Sequence, residues 1–164
     1  MASFVVDSNF FIQAHRNNYP LDVATSFWLK VKDLATAGHI ICIDKVKDEI
    51  YKNEDDLKGW CVGNLPSNFF HDTATILADY GRVCTWAVSK SSHYLQKALD
   101  EFLNAEEADA WLVSFALAKG IKVVTYETSN PAQKSRIKLP DACIPFSVPF
   151  TNTVGMFREL GITF

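Results

Sequence analysis

The chain has 164 residues, 48% of them hydrophobic and 21% charged, with a formal net charge of −3. That length suffices for one domain with a continuous core, and no stretch approaches the roughly 20 uninterrupted apolar residues that a membrane-spanning helix needs. A net negative charge excludes a general attraction to nucleic acid, so any phosphate binding must rest on a local group of cations.

In chain order, Phe4-Val5-Val6 is a short apolar, β-branched run that stops at Asp7-Ser8-Asn9, which predicts a buried strand ending in a polar turn. The stretch from Met1 to Asp7 lacks the basic region and long apolar run of a secretory signal, so a cytoplasmic location is expected. Val23, Phe27, Val31 and Leu34 share one helical stripe that stops at Gly38. A second strand is predicted over 39–43, and Asp44 can cap a helix from Lys45 to Tyr51. Further helices are expected over 56–62, 73–88, 92–103, 106–119 and 153–160, the last two stopped by Gly120 and Gly161. A third strand is expected over 121–125 and a fourth around 142–144. Alternating strands and helices predict an α/β fold, a three-layer α/β/α sandwich on a mostly parallel sheet. The whole chain, 1–164, reads as a single domain, with a helix-only insertion over about 55–103.

Cys42, Cys61, Cys84 and Cys143 are scattered without a Cys-x-x-Cys pair and read as reduced, buried thiols. His15, His39, His71 and His93 show no ligand spacing, which argues against zinc. No Gly-x-Gly-x-x-Gly, Walker loop or Gly-x-Ser-x-Gly elbow is present, so dinucleotide, nucleoside-triphosphate and serine-hydrolase chemistry lose their usual signals.

The carboxylates are more informative. Asp7 follows the first strand, at the edge where open parallel sheets bind ligands; capping the next helix is its plain alternative role. Asp109 begins a helix that is apolar on nearly every face, where an ionised carboxylate is costly unless paired with a cation. Glu49 falls beside the buried stripe made by Val46 and Ile50. Glu127 follows the third strand as Asp7 follows the first, and Asp141 is a second candidate for a fourth acid. Carboxylates converging on one sheet edge repel each other unless a divalent cation lies between them, and hard oxygen ligands point to Mg²⁺ or Mn²⁺. The loop over 129–138 carries Lys134, Arg136 and Lys138. With Lys45 and Lys47, these residues could supply local phosphate contacts, or they could be plain solvated surface.

Taken together, Val5-Val6-Asp7-Ser8-Asn9, Asp48-Glu49-Ile50, Glu106-Glu107-Ala108-Asp109-Ala110 and Val123-Val124-Thr125-Tyr126-Glu127 resemble the PIN-domain nucleases over nearly the whole chain. The stretch from Lys138 to Cys143 and the ending from Met156 to Gly161 look like the prokaryotic DUF4411 branch of PIN-like proteins. The resemblance implies an endoribonuclease that uses Mg²⁺ or Mn²⁺ to hydrolyse RNA phosphodiester bonds, often as the toxin of a toxin–antitoxin pair. It also implies a cognate antitoxin protein and a homodimer as partners. Asp7, Glu49 and Asp109 match the three core acids, Ser8 or Asn9 the group that steadies the first, and Thr125 the polar residue ending the later strand. Many relatives have Asp shortly after that threonine; here Glu127 stands in its place, with Asp141 further on. Two other readings remain. One is a catalytically inactive PIN-like module that binds RNA or protein. The other is an Asp-based phosphohydrolase, disfavoured because Asn9 stands where a second Asp would be required.

Overall fold

The computed structural model describes residues 3–164; Met1 and Ala2, part of the stretch read above for a targeting signal, lie outside the described residues. The three apolar runs form strands as expected: β1 (Phe4–Val6), β2 (Ile40–Ile43) and, later in the chain, β4 (Lys122–Val124). Between and after them come β3 (Phe70–His71) and β5 (Phe150–Thr151), strands of only two residues each. All pairings are parallel, in the order β3-β2-β1-β4-β5. Val5 and Val6 at the centre are fully buried, as strands covered on both faces require.

Helices fill the connections. They are α1 (Ser8–Gln13), which runs on as a π-helical turn over Ala14–Asn18, α2 (Thr25–Thr36), α3 (Asp44–Tyr51) and α4 (Asp56–Asn64). After β3 follow a 3₁₀ turn (Thr73–Ile76), α5 (Leu77–Ser89), α6 (Gln96–Leu103) and α7 (Asp109–Lys119), then α8 (Leu139–Cys143) and α9 (Thr153–Leu160). The right-handed rule for parallel crossovers puts α1–α4 on one face of the sheet and α5–α8 on the other. The packing of α1 on α3, and of α5 and α8 on α7, agrees with it. Among the described residues no helix is long and apolar enough to cross a membrane.

Two sequence expectations are corrected. The run around 142–144 is helical: it lies in α8 and in a 3₁₀ turn over Ile144–Phe146. Pro140 and Pro145 explain this, because each fixes φ and removes a ladder donor, while both are well tolerated in the first turn of a helix. The edge strand is supplied instead by Phe150–Thr151, paired with Val123 and Val124. Nor is the 55–103 segment wholly helical, since Phe70 and His71 pair with Cys42 and Ile43. Gly120 and Gly161 end α7 and α9 as expected, at φ of 67° and 65°, in the left-handed region.

Candidate active site

The strand order turns back on itself between β1 and β4, and such a switch point opens a crevice at the C-terminal ends of the two strands. Asp7 follows β1 there, its N–H donating to Val124 O at 2.9 Å, and Thr125 and Glu127 follow β4. Glu49 comes in from α3 and Asp109 from the first residue of α7. Residues from positions 7 to 127 thus meet at one edge because the topology brings them there.

Asp7 is 2% exposed and tightly held. Its Oδ2 accepts from Thr125 Oγ1 at 3.0 Å and from Asn9 Nδ2 at 3.4 Å, and its Oδ1 accepts from Ser8 Oγ at 3.3 Å. Ser8 and Asn9, the alternatives for steadying the first acid, both touch it, and so does Thr125, the polar residue that ends the later strand. Burial pushes the Asp7 carboxyl up to about 6; Thr125 opposes that shift, while Glu127 and Glu49 add to it. Burial also raises the carboxyl of Glu49, against which the Ser8 hydroxyl and the Ala108 backbone favour its ionised form. Asp109 is raised well above the ordinary range, first by burial, then by Asp7 and Glu127, with Arg136 opposing and Glu49 adding to the shift. These mutual effects place Asp7, Glu49, Asp109 and Glu127 in one electrostatic group.

Glu127 is anchored on both sides. Its N–H donates to Thr125 Oγ1 at 3.1 Å, and its Oε2 accepts from Leu139 N at the start of α8 at 2.7 Å. Its Oε1 lies 2.6 Å from Arg136 Nη2, at an angle that makes an ion pair but no hydrogen bond, so this buried oxygen has no hydrogen-bond donor. The same Nη2 lies 3.5 Å from Asp109 Oδ2, and Arg136 Nε lies 4.0 Å from Glu101 Oε1. Burial works against the charge of Arg136, but Glu127, Asp109, Glu101 and Asp7 outweigh it and push the guanidinium above its usual range. A shallow recess bordered by Glu101, Glu107, Asp109 and Arg136 opens over this pair.

The sequence offers Arg136 as a phosphate contact or as solvated surface, and the structure sets it among the acids instead. The available signal was its position, in the segment that returns from β4 across the crevice, and its five-donor fork, which suits carboxylates better than a lysine does. Asp141 is not brought into the group: its oxygens accept from Ser129 Oγ at 2.5 Å and Asn130 N at 3.0 Å, holding the loop after β4. Asp44, at the end of β2, is likewise engaged, with Thr73 N and Oγ1 and Lys45 N as its donors. Of the other cations, Lys134 is exposed, Lys138 is half-buried, and Lys45 and Lys47 lie over the rings of Trp111 and Tyr51, each at 5.4 Å. The four cysteines are free thiols; Cys143 lies beneath the acids, and burial, then Asp109 and Asp7, push it up to about 12.

Among the described residues, no three Asp, Glu, His or Cys side chains are arranged to hold a metal ion as they stand. The donor chemistry nonetheless fits a hard cation: oxygen ligands, raised carboxyl pKa values, and a buried Glu127 oxygen without a donor.

A family model described as "Domain of unknown function (DUF4411)" matches residues 4–164. Among curated proteins no sequence matches this chain. Among solved structures, the fold is similar to the crystal structure of VapBC2 from Rickettsia felis bound to a DNA fragment from their promoter. The TM-score is 0.55 at 16% identity, over 91% of this chain and 97% of that one. With the family model spanning nearly every residue and the five-stranded parallel sheet in place, the chain belongs to the DUF4411 family and has a PIN-like α/β fold.

Proposed function

We propose that this chain is a single PIN-like domain, with its insertion over 55–103, that acts as a metal-dependent endoribonuclease and as the toxin of a toxin–antitoxin pair. The observation that carries this reading is the convergence of Asp7, Glu49, Asp109 and Glu127 at the switch point of the sheet. The carboxyls of Asp7, Glu49 and Asp109 are all raised there, those of Asp7 and Asp109 in part by the Glu127 charge, on a fold similar to that of VapBC2. Asp7 and Asp109 would hold Mg²⁺ or Mn²⁺ directly, with Glu49 and Glu127 completing the set. When bound, such an ion supplies Lewis-acid stabilisation of the charge that develops on the phosphodiester and makes water more acidic.

The chain's own residues set this up. Thr125, Ser8 and Asn9 fix both oxygens of Asp7, so that carboxylate cannot turn away. The Leu139 N–H fixes one oxygen of Glu127 and leaves the other against the Arg136 guanidinium. Lys134 and Lys138, with Lys45 and Lys47, supply contacts to RNA phosphates that the net charge does not. The partners in this reading are an RNA substrate, a cognate antitoxin protein and a second copy of the chain.

The test is cleavage of a structured RNA by the purified protein with Mg²⁺ or Mn²⁺, with EDTA, and with Asp109→Asn. Cleavage should require the ion and fall to background in the variant while circular dichroism stays unchanged. One observation favours a second reading, a non-catalytic RNA- or protein-binding module: Arg136 already neutralises part of the acidic group. RNA binding that is insensitive to EDTA, without cleavage and without calorimetric binding of either ion, would put that reading first.

A further inference from the structure

We infer that Arg136 is the resident counter-cation of the acidic site and that a divalent ion enters by displacing its guanidinium outward, toward Glu101. The inference rests on the metal-dependent reading above, and it concerns what this chain does before the ion arrives.

Three observations carry it. First, Arg136 Nη2 lies close to two of the acids, 2.6 Å from Glu127 Oε1 and 3.5 Å from Asp109 Oδ2, and that Glu127 oxygen has no hydrogen-bond donor. An ion shared by these two carboxylates would face a like charge within a few ångströms, in a partly desolvated crevice where Coulomb repulsion is strong. The two cations therefore compete for the same oxygens. Second, the elements that carry these groups differ. Glu127 is tied to Thr125 and to the start of α8, and Asp109 is on the first turn of α7, whereas Arg136 sits on the irregular connection between β4 and α8 with its side chain 38% exposed. Third, a place to go exists: Glu101 Oε1 on α6 is 4.0 Å from Arg136 Nε, its side chain 56% exposed at the rim of the recess. Outward rotation of the side chain trades Glu127 and Asp109 for Glu101 and water, and it frees two carboxylates together.

The experiment is titration of Mn²⁺ by calorimetry into the metal-free wild type, Arg136→Gln and Arg136→Lys. Removing the charge should tighten Mn²⁺ binding by about tenfold or more, while Arg136→Lys, which keeps it, should stay close to wild type. Equal affinity in Arg136→Gln and wild type would overturn the displacement and leave the metal site standing; absence of Mn²⁺ binding in both would overturn the two together. Should Arg136→Gln fail to fold, the wild type decides by NMR. Addition of Mg²⁺ should shift the Arg136 Nε–Hε resonance, assigned by its loss in Arg136→Lys, and an unmoved resonance in an Mg²⁺-bound protein would overturn the inference.

Discussion

Asp7 is nearly fully buried, and its carboxyl stands at about 6 against an ordinary 3.8. Because the folded value lies above the unfolded one, proton binding favours the folded state. Ionised Asp7 therefore disfavours folding above pH 6, and the penalty fades as pH falls through 6 toward 4. The shift corresponds to a penalty on the order of 3 kcal/mol at neutral pH. In the metal-free protein Asp7→Asn should melt several degrees above wild type at pH 7.5, with the gap closing toward pH 4, as read by thermal denaturation across that range. A lower melting temperature at every pH would mean that the bonds from Thr125, Ser8 and Asn9 outweigh the buried charge. At this scale the sequence was informative about acids and silent about their counter-charge. Asp7 and Asp109 stood out because a carboxylate beside apolar runs has few innocent explanations. Arg136 did not, because a cation in a polar loop looks the same whether it faces water or folds back over a crevice, and only long-range contacts decide. Glu127 and Asp141 were equally plausible on paper; the difference between them lies in Ser129 and Asn130, whose bonds to Asp141 no local pattern announces.

At the scale of elements, the glycines that end helices are the sharpest test of local reasoning. Gly120 has φ of 67° and open space where a Cβ would go, so Gly120→Ala should cost about 1 kcal/mol through backbone strain alone. Gly155 is the opposite case: in α9, a Cβ there would meet Thr151 Oγ1 at 2.0 Å. Gly155→Ala should therefore displace β5 from β4 and destabilise by about 1–3 kcal/mol, measurable by urea denaturation, and a neutral result would mean that the Thr151 side chain simply rotates away. The longer helices were legible because their periodicities are sustained, and the three central strands because each is a short, mostly apolar run rich in β-branched residues. The two-residue strands β3 and β5 were not: a strand that short has no period, and its existence depends on the edge of β2 or β4 being there to pair with. The same shortness of signal let the apolar run at 142–144 pass for a strand until the prolines around it were set in a helix and a turn.

At the scale of the whole molecule, the RNA substrate proposed above requires a chain of net charge −3 to concentrate its cations. With Arg136 engaged by acids, Lys134 and Lys138 are the loop cations left to meet phosphate. The double variant Lys134→Ala, Lys138→Ala should weaken RNA binding and make its logarithmic salt dependence about 1.5 to 2 units shallower, since each of the two phosphate contacts releases counterions; an unchanged slope would take the loop out of the interface. The sheet order has a temporal consequence as well. Thr125 N donates to Thr151 O at 2.9 Å, so the strand that carries Thr125 toward Asp7 and Glu127 has one of its two neighbours, Phe150–Thr151, drawn from well after the acids in the sequence. During synthesis that neighbour emerges after all four acids. A growing polypeptide that already holds Asp7, Glu49, Asp109 and Glu127 thus still lacks the strand that pairs with the outer edge of β4, and the sheet beside the acidic centre is completed only once Phe150 and Thr151 have been added.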